Sequence, residues 1–183
     1  NVNVGDLFLF WGLFRETLTI NNKTFFSKED PGHYRFFGWL QIGKIIYLGK
    51  DPSWYLKTNP NSMSHPHTIG NWKRNNTLYL ASKELNVFGI EGYCGFGKFN
   101  GSDKTNLSFD PSIKKSIWKC PKWLNPCHGG CGMTYHKDKK RWGKDSVNVV
   151  GRGQEFIAEP KKINDCRKWL KNIFKDAKTI EEV

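Results

Sequence analysis

The sequence contains no apolar segment long enough to cross a membrane. A transmembrane helix needs about 20 consecutive apolar residues, and apolar runs here, such as residues 7–11, are far shorter. No signal-peptide pattern opens the chain either. We therefore predict a cytoplasmic protein with no membrane partner. Because the chain begins at Asn1 and enters a strand pattern almost at once, we also expect a preceding N-terminal segment.

A disulfide framework and a zinc site are both missing from the cysteine pattern. The five cysteines are odd in number and scattered, unlike those of a small secreted scaffold. Cys120, Cys127 and Cys131 have the spacing Cys-x6-Cys-x3-Cys, with His128 and His136 nearby, and this spacing matches no familiar zinc pattern. The sequence predicts a reduced protein without a bound metal.

Two common phosphate-binding motifs are also missing. The chain has neither a Walker-type loop nor the glycine fingerprint of dinucleotide-binding folds. The sequence therefore leaves both the cofactor and the oligomeric state open.

Acidic residues are scarce relative to basic ones. Lys and Arg total 29 against 17 Asp and Glu, which gives a net charge of +12. The segment 114–144 alone carries nine basic residues and one acid. Such an imbalance predicts polyanionic partners, of which nucleic acid is the commonest.

Aromatic residues are interleaved with the charges of this basic segment. Trp118, Trp123, Tyr135 and Trp142 could serve as stacking platforms for unpaired bases, while the cations attract phosphates. The alternative is a solvated charged face whose tryptophans belong to the core.

Hydrophobic patterning predicts an α+β fold. Residues 7–11 form a short apolar strand, and residues 34–48 form two strands or one bent strand, because Gly38 and Gly43 interrupt them. Residues 15–28 are polar with a turn at Asn21 and Asn22, and residues 51–76 are interpreted as a long loop. Further short strands are predicted at 77–80, 87–90 and 154–158.

The C-terminal pattern changes to helical spacing. Apolar residues recur from Cys166 to Ala177, with Asn164 or Asp165 as the N-cap. We predict one domain over residues 1–183, built on a curved, mostly antiparallel sheet with a packed C-terminal amphipathic helix.

Two polar motifs are candidates for a site. The histidines of His65-Pro66-His67, with His33 earlier in the chain, could share a metal or a phosphate or transfer protons, although no nearby carboxylate completes a metal triad. The plain alternative is a rigid turn whose histidines pack or hydrogen-bond. In the segment 151–156, Arg152 lies between two glycines and precedes Gln154 and Glu155. Arginine offers a bidentate fork to phosphate, and Gln can read a base edge. The alternative is a tight turn in which Arg152 pairs with Glu155.

Together these pieces resemble the nucleotide modification associated domain 3 proteins of bacteria and phages. The resemblance covers nearly the whole chain. It is carried by residues 5–12 with Phe14-Arg15, His33 with residues 36–43, His65-Pro66-His67, residues 76–79, residues 116–118 with 121–123, Tyr135-His136 with Arg141-Trp142, and residues 152–156. It implies a role in DNA-modification systems, without an established reaction. Cys120, Cys127 and Cys131 depart from the family pattern.

A fainter resemblance is to PUA-like barrels, including the EVE and ASCH domains. Gly5-Asp6 ahead of an aromatic strand and residues 38–43 occupy corresponding positions. This resemblance implies a barrel as an alternative form of the sheet and a base held in an aromatic pocket.

We therefore expect a protein that recognises or modifies nucleotides in DNA. The alternatives are a non-catalytic PUA-like reader of modified bases in DNA or RNA, and a basic structural or partner-binding protein. We expect His33, His65, His67 and Arg152 to converge on one pocket. The expected catalytic residues are His33, His65, His67 and Glu155. The expected nucleic-acid-binding residues are Arg15, Gln41, Asn76, Trp118, Trp123, His136, Arg141, Trp142, Arg152 and Gln154.

Overall fold

The computed structural model describes residues 2–70, 72, 76–150 and 155–177. The chain divides into two compact units. Unit 1 comprises Asn1–Phe8, Trp39–Val87 and Glu91–Phe96, and unit 2 comprises Leu9–Gly38, Phe88–Ile90 and Gly97–Val183. The prediction that residues 1–183 form a single domain stays a prediction.

Within the described residues, the fold has eight strands and four helices. The strands are β1 (Leu7–Phe14), β2 (Thr17–Ile20), β3 (Lys23–Phe26), β4 (His33–Tyr47), β5 (Thr77–Ala81), β6 (Phe96–Lys98), β7 (Ile117–Lys119) and β8 (Ser146–Asn148). The helices are α1 (Ser53–Thr58), α2 (Pro66–Ile69), α3 (Pro111–Lys114) and α4 (Ile163–Phe174). The predicted α+β class with antiparallel sheets is confirmed. The alternative of a PUA-like barrel stays a prediction.

The strands form one larger sheet and two ribbons. The sheet has the order β1-β4-β5, with β6 also paired to β4. The ribbons are β2-β3 and β7-β8. β4 is a single long strand, and its register with β5 shifts between Ile42 and Lys44. At Gly43 an added Cβ would lie 2.5 Å from the Ser82 Cα, so only glycine fits this close backbone approach.

The predicted turn at Asn21 and Asn22 is confirmed. Both residues have positive φ, 49° and 59°, the conformation that a two-residue hairpin turn requires and that Asn tolerates. The turn connects β2 to β3, whose eight strand residues are all exposed. Neither strand of this hairpin therefore has a buried face.

Three predicted elements are wrong. Residues 51–76 are not a plain loop, because α1 and α2 lie within them. Residues 87–90 are not a strand, because Val87–Gly89 forms a 3-10 turn in which Phe88 has φ of 51°. Residues 155–158 have no strand pairing, and Gln154 lies outside the described residues.

The C-terminal helix is confirmed, but its predicted cap is wrong. α4 begins at Ile163 with Lys162 as N-cap, and no side chain caps it. Asn164 and Asp165 therefore lie inside the first turn, where Asp165 still complements the positive end of the helix dipole.

Each unit has its own apolar core. In unit 1, Ile46, Leu48, Tyr55 and Leu78 pack together, with Leu80 against them. In unit 2, α4 buries Cys166, Leu170, Ile173 and Phe174. The Trp169 ring of α4 meets Trp123 and Phe36 edge-on, at centroid distances of 5.4 and 6.1 Å. Among the helices of the described segments, none has the length and apolar character needed to cross a membrane.

Candidate functional site

Unit 2 contains an open groove with a volume of about 470 Å³. That volume falls within the roughly 300–1,000 Å³ typical of small-ligand sites. The lining combines two aromatic rings, two cations, two polar side chains and two valines: Trp11, Tyr34, Lys114, Arg141, Ser116, Asn148, Val149 and Val150.

The β7-β8 ribbon positions the polar residues of the groove. Ile117 pairs with Asn148, so Ser116 and Asn148 lie side by side at the ribbon end. The Ser116 Oγ is 3.3 Å from the Asn148 Oδ1, and the Val149 N–H donates to the Ser116 carbonyl at 2.9 Å. The ribbon thus fixes one hydroxyl and one amide at the groove edge.

Packing on three sides holds the indole of Trp11. Its ring stacks on Phe156 at 5.7 Å with an interplanar angle of 6°, and it meets Trp118 and Tyr34 edge-on at 4.9 and 5.4 Å. Trp118 and Phe156 also meet edge-on, at 5.6 Å. Trp11 and Tyr34 are only half-buried, so the cluster offers a rigid aromatic surface to the groove.

The cation Arg141 is held at the end of a 3-10 turn, Lys139–Arg141. Asp138, the single acid of the basic segment, caps this turn by accepting a hydrogen bond from the Lys140 N–H at 2.9 Å. The Arg141 Nη1 donates to the Asn148 carbonyl at 3.3 Å. Among the described residues this is the one hydrogen bond of the guanidinium, which has further donors that can bind an anion.

His136 lies buried behind the groove. Its Nδ1 is 2.7 Å from the Thr134 carbonyl, which fixes Nδ1 as the protonated nitrogen, and its Nε2 accepts from the Val150 N–H at 3.2 Å. Burial lowers the pKa of His136, and the Arg141 charge lowers it further, although the Thr134 hydrogen bond opposes the shift. Neutral His136 therefore anchors the Val150 backbone at the groove edge.

The three tryptophans expected to stack on bases are buried in unit 2. Trp118, Trp123 and Trp142 are 5, 6 and 7% exposed, respectively. The Trp142 indole N–H donates to the His136 carbonyl at 2.8 Å. This burial matches the alternative in which the tryptophans belong to the core, and contact with nucleic acid stays a prediction for them.

The other expected residues of unit 2 have different surroundings. Arg15 donates to the carbonyls of Ser27 and Asp30 and lies 5.3 Å from the Phe26 ring centroid. Glu155 is exposed. Burial and the Arg35 charge lower the pKa of His33 against the opposing charge of Asp30. The buried Nε2 of His33 has no hydrogen-bond partner in the described part of the chain.

Unit 1 brings together three of the expected site residues. His67 Nδ1 lies 2.7 Å from the Asn76 Oδ1, while the Asn76 amide donates to the His67 carbonyl at 2.9 Å. The His67 ring stacks on Trp72 at 4.5 Å. His65 Nδ1 accepts from the His67 N–H at 3.2 Å, so it acts as the N-cap of α2.

Gln41, also in unit 1, makes structural contacts. Its amide donates to the Gly5 carbonyl and the Asn86 Oδ1, and its Oε1 accepts from the Asn86 N–H at 2.8 Å. Its donors and its carbonyl are thus already engaged.

The predicted convergence of His33, His65, His67 and Arg152 stays a prediction. His65 and His67 are neighbours within unit 1, whereas His33 belongs to unit 2. Arg152 and Gln154 lie outside the described residues.

Among the described residues, the cysteines of unit 2 form no metal centre. Burial raises the pKa of Cys120 to about 12, and nearby Cys131 and Asp145 add to the shift. Within residues 2–70, 72, 76–150 and 155–177, no group of three or more His, Cys, Asp or Glu side chains could hold a metal ion. The prediction that no metal is bound stays a prediction.

Sequence reasoning missed most of the groove lining. The sequence pattern places Trp11 in a buried strand and does not single out Tyr34, Lys114, Ser116 or Asn148 as site residues. The available signal was strand alternation: Trp11 and Tyr34 occupy positions alternating with exposed Phe10 and half-buried Arg35. This alternation places each of the two rings on the strand face opposite to Phe10 or Arg35, and it is the pattern that predicts Trp11 and Tyr34 as the aromatic lining of the groove.

Fold and site together define an α+β protein whose unit 2 contains a groove lined by aromatic, basic and polar side chains. A family model for nucleotide modification associated domain 3 matches residues 1–159. The chain therefore belongs to the nucleotide modification associated domain 3 family, which links it to nucleotide modification. Comparison with curated proteins and with solved structures gave no match.

Proposed function

We propose that the groove of unit 2 binds one nucleotide of a nucleic acid, with DNA preferred, and that the chain thereby acts as a recognition component in nucleotide modification. The observation that carries the proposal is the composition of the groove. Aromatic rings, cations and neutral hydrogen-bonding groups line the same 470 Å³ cavity in a chain of this family.

Each kind of lining group suits one part of a nucleotide. Arg141 and Lys114 supply charge for a phosphate, and Arg141 can do so bidentately. Trp11 and Tyr34 offer ring surface for a base. The Asn148 amide is of the kind that reads base edges.

The groove supports binding more directly than chemistry. Its lining residues, as described, include no carboxylate, histidine or cysteine. His136 behind it has both ring nitrogens hydrogen-bonded. Recognition is therefore the function that this geometry favours, which corresponds to the reader hypothesis.

A second candidate function rests on His67 in unit 1. The Asn76 Oδ1 accepts from His67 Nδ1, which leaves Nε2 as the proton acceptor, and no described residue hydrogen-bonds to Nε2. A histidine oriented by an amide in this way is equipped to take a proton from a substrate. Loss of a nucleotide-modifying activity in His67→Gln, with folding intact, would favour this candidate.

The groove proposal is tested by titrating the chain with deoxynucleoside monophosphates and with 5-hydroxymethylated pyrimidine forms. Intrinsic tryptophan fluorescence or calorimetry would report binding. Arg141→Gln should weaken binding about 10- to 100-fold, because hydrogen bonds to charged groups contribute about 1.5–3 kcal/mol.

Lys139→Gln is the matched control. It removes the same charge from the same 3-10 turn, but Lys139 does not line the groove. Lys139→Gln should weaken nucleotide binding by less than about twofold in physiological salt, where distant surface charges are screened. Equal losses in the two variants would reduce the proposal to non-specific electrostatics and contradict it.

A further inference from the structure

Unit 2 presents three contiguous exposed phenylalanine rings. Phe10 and Phe14 lie on one face of β1, and Phe37 of β4 lies between them, beside Gly12. The ring centroids are 6.1 Å apart for Phe10 and Phe37 and 6.0 Å apart for Phe14 and Phe37. The three side chains are 40, 38 and 44% exposed, and we call this surface the phenylalanine face.

At Gly12 the face has room for one methyl group, because the contacts it would make are ordinary van der Waals contacts. A Cβ at Gly12 would lie 3.5 Å from Phe14 and 3.6 Å from Phe37. A larger side chain would occupy the space between the rings. The glycine therefore leaves Phe37 seated between its two neighbours.

The groove lies on the opposite side of the same strands. Side chains alternate along a strand, so Trp11 and Tyr34 point away from Phe10, Phe14 and Phe37. The two surfaces are thus separate places on unit 2.

A guanidinium lies at the edge of the phenylalanine face. Arg35 is two residues from Phe37 on β4 and lies 5.9 Å from the Phe14 ring centroid. Its Nη1 donates to the Gly101 carbonyl, and its Nε has no partner among the residues that the structure describes. Because that Nε is buried, Arg35 contributes its positive charge, and not this donor, to the edge of the face.

We propose that the phenylalanine face binds single-stranded nucleic acid by stacking two or three successive bases, with Arg35 near the phosphates. Charge complementarity selects this occupant, because the chain carries +12 and a guanidinium borders the rings. Aromatic platforms bordered by arginine are the arrangement that binds single strands without sequence preference. A purely apolar partner would leave Arg35 without a counter-charge.

The test measures the affinity of a fluorescein-labelled oligothymidylate of 12 nucleotides. Phe37→Thr should weaken binding about five- to tenfold, and the triple variant Phe10→Thr/Phe14→Thr/Phe37→Thr by at least about 30-fold, since each base–aromatic stack contributes substantially. Threonine is chosen because it favours strands. Phe109→Thr is the control, since Phe109 is an exposed phenylalanine of unit 2 outside this face.

Binding of thymidine monophosphate is measured in the same variants. It should be unchanged in the triple variant and reduced in Arg141→Gln, which separates failure of this proposal from failure of the groove proposal. Unchanged oligothymidylate affinity in a folded triple variant would overturn the proposal. The proposal would also be overturned if the unmodified chain is a dimer and the triple variant is a monomer that still binds the oligonucleotide as tightly.

A second measurement needs no variant. An oligonucleotide carrying 5-iodouracil is crosslinked by light to the unmodified chain, and the attached peptide is found by mass spectrometry. Crosslinks at Phe10, Phe14 or Phe37 support the proposal, whereas a crosslink at Trp11 reports the groove. Crosslinks confined to other exposed aromatic residues, such as Phe109 or Tyr135, overturn it.

Discussion

His136 connects the stability of unit 2 to the groove, and two substitutions separate its two hydrogen bonds. Asparagine places an amide N–H near the position of Nδ1, so His136→Asn keeps a donor for the Thr134 carbonyl. Glutamine reaches the position of Nε2, so His136→Gln keeps an acceptor for the Val150 N–H. Each variant therefore removes one of the two contacts observed at 2.7 and 3.2 Å.

The expected loss in the free energy of unfolding follows from the polar group that each variant leaves without a partner. An unsatisfied buried polar group costs about 1–3 kcal/mol. Both variants also lose the edge-on ring contacts to Phe156 and Trp142, each worth about 0.5–1.5 kcal/mol. The free energy of unfolding should fall by about 2–6 kcal/mol in both, and more in His136→Asn, because an orphaned N–H is tolerated less well than an orphaned carbonyl.

The two variants should differ clearly in binding. His136→Gln retains the Val150 anchor and should bind nucleotide close to normally. His136→Asn releases Val150 from the groove edge and should bind about tenfold more weakly. Chemical denaturation and nucleotide titration of both proteins measure these effects, and equal affinities would refute the anchoring role of His136.

The pH dependence of stability gives an independent check. Burial lowers the pKa of His136 below its ordinary 6.5, so in acid the unfolded chain takes up the proton first. The free energy of unfolding should fall as pH drops below about 6.5, down to the lowered pKa of the folded chain. His33 acts in the same direction, so the informative quantity is the difference from His136→Gln. A parallel pH profile in that variant would contradict the account.

Three further predictions concern other parts of the chain. Gly43→Ala should lower the free energy of unfolding by about 1–3 kcal/mol, because its Cβ would meet the Ser82 backbone. Gly12→Ala is the control: its Cβ contacts are no closer than 3.5 Å, so the free energy of unfolding should fall by less in the same denaturation experiment. Asn76→Ala should cost about 2 kcal/mol or more, since the His67 carbonyl and Nδ1 both lose their partner, and a change below about 0.5 kcal/mol would count against that contact. Nucleic-acid affinity should fall steeply with salt, with a slope near 0.9 per phosphate contact on duplex; a flat slope would exclude the +12 charge as a source of affinity.

Sequence reasoning succeeded where a residue type has one dominant physical role. The Asn21-Asn22 turn follows from the tolerance of Asn for positive φ, and α4 follows from the apolar spacing of Cys166, Leu170 and Ile173. The single bent β4 was one of two forms predicted, and Gly43 marks the place where its register changes.

It failed where tertiary contacts decide the outcome. Phe88 takes a positive φ that its side chain does not favour, so residues 87–90 turn instead of extending. Residues 155–158 carry a strand-like pattern, yet Phe156 packs against Trp11 outside any sheet. Neither the positive φ of Phe88 nor the packing of Phe156 against Trp11 can be inferred from local propensity.

For the candidate site, Arg141, which the sequence pattern selects, lines the groove, whereas the tryptophans selected for stacking are buried and their role stays a prediction. Trp118, Trp123 and Trp142 alternate with charges along the chain, but they point into the unit 2 core. The half-exposed rings of the groove come from β1 and β4, which are remote in sequence from the basic segment. Only the folded arrangement brings Trp11 beside Arg141 at one groove.

The most direct test of the central claim is the nuclear Overhauser contact between a bound nucleotide and the protein. With isotope-labelled chain and unlabelled thymidine monophosphate, we expect contacts from the base and sugar protons to the rings of Trp11 and Tyr34. Contacts to the His67 and Trp72 rings of unit 1, without any to Trp11 or Tyr34, would contradict the assignment of the groove as the nucleotide site.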